Sequence, residues 1–337
     1  MTVVIFAQQA DSPVDAVVRR LAARDVPVFR ADTSWFPRQL VLDARLSDDG
    51  RWTGQLNTAH RAVELEAIRS IWYRDPTAFS FAEGLTDVER AYAHREARLG
   101  LGGVLASLDM LWVNNPNRAA DAVYKPLQLA TAARCGLTTV PTVITNSPDA
   151  VRRLAADSPT GVVRKSLGPN VVTEGGKLTV AYTHRLTEDD LTDLVGADTT
   201  ATQAQQWVDK THEARVVAIG ERTFTILIRA GSPASRVDWR ADYPALSYEW
   251  IETPPEIEKG LRAYLAELGL AYSAVDFAID ADGRWVFLES NSSGQYHWLE
   301  SHTGAPITDA LADLLTEGGS DHDRAHRRLG TQSTTAR

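Results

Sequence analysis

The segment at 275–295, VDFAIDADGRWVFLESNSSGQ, constrains the fold more than any other part of this chain. Its Asp-Gly dipeptide at 282–283 is the one most favoured in a two-residue hairpin loop, because both positions tolerate a positive φ. If the residues that flank the dipeptide lie opposite each other, the register places Asp276 directly opposite Glu289. The sequence therefore predicts two facing carboxylates on neighbouring antiparallel strands.

Facing carboxylates are costly in this setting, because opposed like charges repel and the rest of the hairpin is apolar on both faces. Asn291 lies two residues beyond Glu289 and is therefore expected on the same face of its strand. Mg²⁺ prefers oxygen ligands and is held by one or two carboxylates together with waters and substrate phosphates. The pattern predicts a magnesium site at Asp276, Glu289 and Asn291. An alternative, in which the acidic side chains simply face water, remains open.

Composition narrows the classes of protein that this hairpin could belong to. The net charge of −9 over 337 residues argues against an extended nucleic-acid interface, which needs a basic face. The one cysteine, Cys135, excludes a disulfide framework and favours a reducing, cytoplasmic location. No apolar run is long enough to span a membrane, and the opening residues MTVVIFAQQ are typical of a first strand and not of a signal peptide.

Patterning along the chain predicts a mixed α/β (α+β) protein. The start alternates strand, helix and strand in the βαβ manner, with Ser12 and Pro13 opening the helix. Long helical patterns are predicted over 86–113 and 117–137, and the glycine-bearing segment 168–177 is predicted to be a loop. Strands dominate after about residue 200. We expect the following division: an N-terminal α/β domain at 1–115, a central lid domain at 116–200, a mainly antiparallel β domain at 201–318, and a disordered tail at 319–337.

A metal held by few protein ligands implies phosphates, and two lysines are placed to bind them. Lys165 ends the β-branched strand GVVRKSL just before the glycine-bearing loop, where its ammonium could reach a phosphate. Lys125 lies near the start of a helix that otherwise presents leucine and alanine. Each lysine taken singly is more often a solvated surface residue, so they gain weight only as a set. No Walker sequence is present.

In their order along the chain, these residues resemble the ATP-grasp superfamily. The order is Lys125, then Lys165 with its loop, then the strand QQWV, then HEARVVAIGERTF, then the Asp, Glu and Asn set of the hairpin. The resemblance implies an N-terminal pre-grasp domain, a central lid, ATP and Mg²⁺. It implies that Lys125 and Lys165 contact phosphates. The implied nucleotide contacts are Gln206, Trp207 and Val208 for adenine, Glu213 for ribose, and Lys210 less directly. Arginines implied at the phosphoryl group or the substrate carboxylate are Arg215, Arg229 and Arg240.

A narrower resemblance is to the microviridin-type peptide macrocyclases, or graspetide ligases. It rests on IWYRDP, VDWR and FLESNSSGQYHWLESHTGAPITDAL, with Ser292 where proline commonly follows the asparagine. The resemblance implies RiPP biosynthesis: side-chain carboxylates of a ribosomal precursor peptide are activated as acyl phosphates and closed into ω-ester or ω-amide rings. The partner would be that peptide, through leader and core, with Arg74 a candidate contact. A homodimer is compatible with the sequence.

Two other functions remain open from the sequence. An ATP-grasp carboxylate–amine ligase acting on free amino acids or a protein tail would use the same nucleotide site. A nucleotide-sensing module without turnover is disfavoured by the Asp, Glu and Asn set, because a sensor need not keep the geometry of a metal site.

Overall fold

The computed structural model describes residues 1–168, 171–174 and 177–318. The N-terminal part contains a parallel sheet of four strands in the order β2-β1-β6-β7 and an antiparallel sheet of three, β3-β4-β5. Its strands are β1 (Thr2–Ala7), β2 (Val28–Ala31), β3 (Val41–Leu46), β4 (Trp52–Asn57), β5 (Ala62–Glu64), β6 (Ile68–Arg74) and β7 (Leu111–Val113). Its helices are α1 (Ser12–Ala22) and α2 (Asp87–Ala106). The predicted βαβ start is confirmed.

The helix predicted over 86–113 is too long. It ends at Ala106, and the residues LWV form β7, which pairs in parallel with β6. Leu111 and Val113 are buried in that sheet. Pairing with a sheet edge therefore overrides the local helical pattern, which periodicity alone cannot separate from a short buried strand.

The central part contains a four-stranded sheet in the order β12-β9-β13-β8 and the two-stranded ribbon β10-β11. Its helices are α3 (Pro116–Ala122), α4 (Lys125–Arg134), α5 (Pro148–Asp157) and α6 (Glu188–Thr192). Its strands are β8 (Thr142–Thr145), β9 (Val162–Lys165), β10 (Val171–Glu174), β11 (Lys177–Val180), β12 (His184–Arg185) and β13 (Thr202–Gln206). The segment 168–177, predicted as a loop, therefore contains β10 and the start of β11.

The single helix predicted over 117–137 is two helices. The break falls at Tyr124, whose backbone is extended and precedes α4. Pro126 lies in the first turn of α4, which is where a residue without a backbone N–H is tolerated in a helix. The new helix start places Lys125 at the first position of α4.

The C-terminal part is built on an antiparallel sheet of five strands in the order β16-β15-β14-β17-β18. Its strands are β14 (Lys210–Ile219), β15 (Arg222–Ala230), β16 (Leu246–Ile251), β17 (Tyr272–Asp280) and β18 (Trp285–Asn291). Its helices are α7 (Pro233–Val237), α8 (Pro255–Leu268), α9 (His297–Thr303) and α10 (Ile307–Glu317). This mixed α/β architecture confirms the predicted fold class.

Both faces of this sheet are covered by apolar contacts. On one face, Val216 and Phe277 pack with Leu261 of α8. On the other face, Val217 packs with Leu311 of α10 and with the N-terminal sheet. A strand between two covered faces reads as a continuous apolar run, so each polar side chain on it needs a partner.

Two further features are the predicted C-terminal tail and the search for helices that could cross a membrane. The tail predicted over 319–337 lies outside the described residues. Among the residues that the structure describes, no helix combines the length and apolar character needed to cross a membrane.

Candidate active site

The hairpin of β17 and β18 pairs Asp276 with Glu289, as the sequence predicted, but its turn differs. The predicted two-residue loop is wrong: Ile279 pairs with Trp285, and Asp280 N–H donates to the Arg284 carbonyl at 3.2 Å around three loop residues. A register shift between Asp276 and its successor then restores the predicted pairing. The bulge offsets the one-residue difference between the predicted and the observed loop, so the two carboxylates still face each other.

Asp276 is held by a buried arginine on the neighbouring strand. Arg215 of β14 pairs with it in register and donates from Nε to Oδ1 and from Nη2 to Oδ2, each at 2.8 Å. Both side chains are more than nine-tenths buried. Burial alone would lower the pKa of Arg215, but Asp276 outweighs it and raises that pKa. The pair keeps two buried charges compensated in a fixed bidentate geometry.

Glu289 is held by two cations from different parts of the chain. Lys125 Nζ lies 2.8 Å from Oε2, and Arg240 Nη1 lies 3.3 Å from Oε1. Burial acts to raise the pKa of Glu289, but Lys125 and Arg240 overcome it and lower the pKa to about 2. Glu289 is therefore an anion at any pH at which the protein would act.

Lys165 lies in the same cleft at the end of β9. Across the described ranges, its ammonium makes no hydrogen bond and no ion pair. Burial lowers its pKa to about 8, although Glu289 acts in the opposite direction. A buried cation that lacks a close partner is suited to receive an anion such as a phosphate.

This shifted pKa gives a pH prediction for nucleotide binding. Because the pKa is lowered, the ammonium is charged below about pH 8 and loses its proton above it. We expect the affinity for ADP with Mg²⁺ to be constant from about pH 6.5 to 7.5 and then to fall by up to about tenfold per pH unit above pH 8. Titration calorimetry across this range measures it.

The control for this prediction is Lys165→Arg, because a guanidinium stays charged throughout the range. Its nucleotide affinity should not fall above pH 8. A wild-type affinity that stays flat up to about pH 9.5 would contradict the role of Lys165.

The strand end at 206–208 forms another wall of the cleft. The main chain of Trp207 is already used: its N–H donates to the Gly161 carbonyl at 2.8 Å, and its carbonyl accepts from the Thr160 hydroxyl. Val208 lines the cleft, and its N–H has no partner among the hydrogen bonds of the described residues. An unpaired main-chain N–H in a cleft is suited to a ring nitrogen of adenine.

Lys210 and Glu213 form a second buried ion pair in the cleft. Lys210 Nζ lies 2.6 Å from Glu213 Oε1 and 3.1 Å from the Val237 carbonyl. Burial raises the pKa of Glu213, while Lys210 acts to lower it. Lys210 also lies 5.1 Å from the centroid of the Trp207 ring, and Arg185 lies 5.4 Å from it. The ring of Trp207 therefore lies between two cationic side chains.

The residues of this cleft come from the central and C-terminal parts of the chain. The cleft is open to solvent. The predicted site residues that line it are Lys125, Lys165, Gln206, Trp207, Val208, Lys210, Glu213, Arg240, Asp276 and Glu289.

Four other predicted residues do not line the cleft. Arg215 lies behind Asp276, and Asn291 pairs with Ala274 two positions beyond the facing carboxylates. Arg229 is half-exposed on β15 and bonds Glu249 of β16, so the structure does not bring it to the site. Arg74 is buried, forms an ion pair with Asp11 and is not among the residues that line the cleft.

Sequence reasoning missed Asp238, which lies in the motif quoted for Arg240. Asp238 is 4% exposed and binds Arg240 with both oxygens, at 2.9 and 3.1 Å. It also accepts from the Thr183 N–H at 3.1 Å, so it joins the central part of the chain to this wall of the cleft. Burial opposes its ionisation, yet Arg240 lowers the pKa of Asp238 to about 2. The acidic residue two positions before Arg240 was the available signal.

The donor set can be tested against a magnesium ion. Across the described ranges, no group of three or more histidine, cysteine, aspartate or glutamate side chains could hold a metal. The facing carboxylates of Asp276 and Glu289 offer four oxygens, and each oxygen that accepts a hydrogen bond keeps a second lone pair. Mg²⁺ needs one or two carboxylates when phosphates and waters complete its shell. The residues fit a phosphate-bound Mg²⁺ and not a free-standing metal site.

Comparisons with known proteins agree with this geometry. Residues 2–120 match the family model "MvdD pre-ATP grasp domain". The macrocyclase MdnC of Microcystis aeruginosa MRC, solved with precursor peptide MdnA, is 27% identical with a TM-score of 0.80 over 95% of this chain and 100% of that one. A RiPP-associated ATP-grasp ligase of Chryseobacterium gregarium, solved with ADP and leader and core peptides, is 26% identical with a TM-score of 0.85 over 95% and 98%. A search of the curated proteins gives no match.

These likenesses support an ATP-grasp ligase, an ADP-forming enzyme. Within that class the likeness is to the graspetide-type macrocyclases, which confirms the resemblance drawn from the sequence. The ligase PsnB, solved with a phosphomimetic precursor variant, Mg and ADP, shares the fold at 22% identity and a TM-score of 0.73 over 94% of this chain and 98% of that one.

Proposed function

We propose that this enzyme uses ATP and Mg²⁺ to form ω-ester or ω-amide cross-links within a ribosomal precursor peptide. The observation that carries the proposal is the cleft in which the carboxylates of Asp276 and Glu289 face each other and which the partly buried side chain of Lys165 also lines. Structures that are 26–27% identical over almost their whole length are described as bound to precursor, leader or core peptides. They support a peptide substrate over a free amino acid.

The nucleotide would lie along the cleft with its base at 206–208. The free N–H of Val208 would donate to adenine, and Glu213 would accept from the ribose. Lys125 and Lys165 would bind the phosphates. Mg²⁺, held through Asp276, Glu289 and Asn291, would neutralise charge on the phosphoryl oxygens.

The reaction would proceed in two balanced steps. A carboxylate oxygen of an Asp or Glu of the peptide attacks the γ-phosphorus, and ADP leaves, which gives an acyl phosphate. A Ser or Thr hydroxyl or a Lys amine of the same peptide then attacks the carbonyl carbon and gives up a proton, and phosphate leaves with the carboxylate oxygen that had attacked phosphorus. Arg240 has a side chain that is 30% exposed, so it can reach the transferred phosphoryl group.

Arg215 is better placed to orient than to touch the substrate. Its guanidinium donates to Asp276 and to the Gln295 carbonyl, so we propose that it positions the carboxylate of Asp276, a proposed ligand of Mg²⁺. No role is proposed for Arg229.

We also propose the division into an N-terminal domain (1–115), a central lid (116–200) and a C-terminal domain (201–318).

Mass spectrometry tests the function. A peptide encoded beside this gene, incubated with enzyme, ATP and Mg²⁺, should lose the mass of one water for each ring formed. If its Asp and Glu carboxylates carry heavy oxygen, one labelled oxygen per ring should appear in the released phosphate, because the acyl phosphate breaks at the carbonyl carbon. Label in AMP, or consumption of ATP with an unchanged peptide mass, would contradict the proposal.

A further inference from the structure

The loop 292–296 between β18 and α9 is held rigidly. The Asn114 side-chain amide donates to the Ser292 carbonyl at 2.7 Å, and the Tyr272 hydroxyl donates to the Gly294 carbonyl at 2.5 Å. Tyr296 is fully buried. Between these anchors, Gln295 is exposed. A fixed loop that presents exposed polar side chains, here Ser293 and Gln295, is typical of a binding surface.

Gly294 explains how the loop packs so closely on β17. A Cβ at this position would lie 2.5 Å from Ala274 Cβ and 3.1 Å from Asn291 Cβ. Only glycine fits without displacing its neighbours, so the loop backbone lies directly against the strands that carry the facing carboxylates.

Gln295 joins two buried arginines. Its side-chain oxygen accepts from Arg74 Nη2 at 2.6 Å, and its main-chain carbonyl accepts from Arg215 Nη1 at 3.2 Å. Arg74 is paired with Asp11 of the N-terminal part, and Arg215 is paired with Asp276 in the cleft. The exposed glutamine therefore contacts the N-terminal part directly, at Arg74 of β6, and is connected to the Asp276 carboxylate through Arg215.

These contacts fix the direction of the amide. Arginine has only hydrogen-bond donors, so the oxygen of Gln295 must face Arg74 and its NH₂ group must point away. That NH₂ group makes no hydrogen bond within the part of the chain that the structure describes. The result is a preoriented donor that has no partner among the described residues.

We propose that the Gln295 amide donates a hydrogen bond to an acceptor oxygen of the peptide substrate, next to the carboxylate that becomes activated. Arg74 is then a positioning residue that orients the amide. This inference rests on the proposed function, and it adds a specificity-determining contact that links the N-terminal domain to the reacting end of the peptide. The partner chemistry is a main-chain carbonyl or a carboxylate, both of which accept from an amide.

The test is Gln295→Glu. The new carboxylate keeps the side-chain acceptor for Arg74, and the main-chain carbonyl that accepts from Arg215 is unchanged, so the fold is retained. The donor is lost, and a negative charge faces the acceptor of the peptide. We expect KM for the peptide to rise about 10- to 100-fold with little change in kcat, because a contact made equally in the ground and transition states is removed. KM for MgATP, the affinity for MgADP and the thermal midpoint should stay at wild-type values.

The control is Gln39→Glu, the same change at another exposed glutamine, which should leave every value unchanged. An unchanged peptide KM in Gln295→Glu would overturn the inference while the proposed function stands. A fall in MgADP affinity together with a lower thermal midpoint would also overturn it, because that pattern indicates a structural role. A wild-type enzyme that fails to modify the peptide would overturn both.

Discussion

Glu289→Gln should reduce formation of the cross-linked peptide by about 10³-fold, since removal of one preorganised charge contact at a transferring group costs about 10²–10³ in rate. The wild-type carboxylate has a pKa of about 2 and is always ionised, so the neutral amide imitates a state that the enzyme does not populate. The fold should persist, because Gln conserves volume and Arg240 keeps its bidentate partner Asp238.

Nucleotide binding separates this explanation from general damage. In Glu289→Gln, the affinity for ADP without metal should equal or exceed the wild-type value, because a negative charge near the phosphates is gone. The gain in affinity on adding Mg²⁺ should disappear. The matched control is Glu249→Gln, a half-exposed glutamate on β16 of the same sheet, which should keep full activity. Near-normal turnover in Glu289→Gln would contradict the site assignment.

Arg215→Ala should lower the free energy of unfolding by about 3–5 kcal/mol, the usual cost of leaving a buried charge unpaired. The reason is geometric: Asp276 is buried on β17 and receives both of its side-chain hydrogen bonds from Arg215. The variant also loses the hydrogen bond to the Gln295 carbonyl. Urea-induced unfolding, followed by circular dichroism, measures the change.

Arg229→Ala is the matched control on the adjacent strand β15. Its ion pair with Glu249 is about half-exposed on both sides, and such surface pairs contribute about 0–1 kcal/mol. If Arg215→Ala lowered the free energy of unfolding as little as Arg229→Ala does, the buried pair with Arg215 would not be what stabilises the Asp276 carboxylate.

The hairpin that carries Asp276 and Glu289 could be predicted from the sequence because its signal is local. Two acids and an amide on an apolar antiparallel hairpin are chemically conspicuous, and alternation along a strand fixes their faces. The turn was less predictable: the Asp-Gly dipeptide suggested two loop residues, whereas Gly283 adopts φ +77° at the end of a three-residue loop. The bulge that restores the Asp276–Glu289 register leaves no mark in the sequence.

Contacts between distant elements could not be predicted in the same way. Asp238 and Gln295 gain their roles from partners far away in sequence, Thr183 and Arg74. Their residue types are common on surfaces, so composition does not mark them. Likewise, Arg229 and Arg240 look equivalent in the sequence. In the structure Arg229 lies on β15 beside Glu249 of β16, whereas Arg240 lies in a helical turn after α7 and lines the cleft.

A crystal structure with Mg²⁺ and a non-hydrolysable ATP analogue tests the central claim most directly. The account predicts a metal ion about 2.1 Å from oxygens of Asp276 and Glu289, bridged to the terminal phosphates, with Lys125 and Lys165 beside them. It would be contradicted by a triphosphate bound elsewhere, or by these two carboxylates remaining paired only to arginine and lysine while the metal lies at another site.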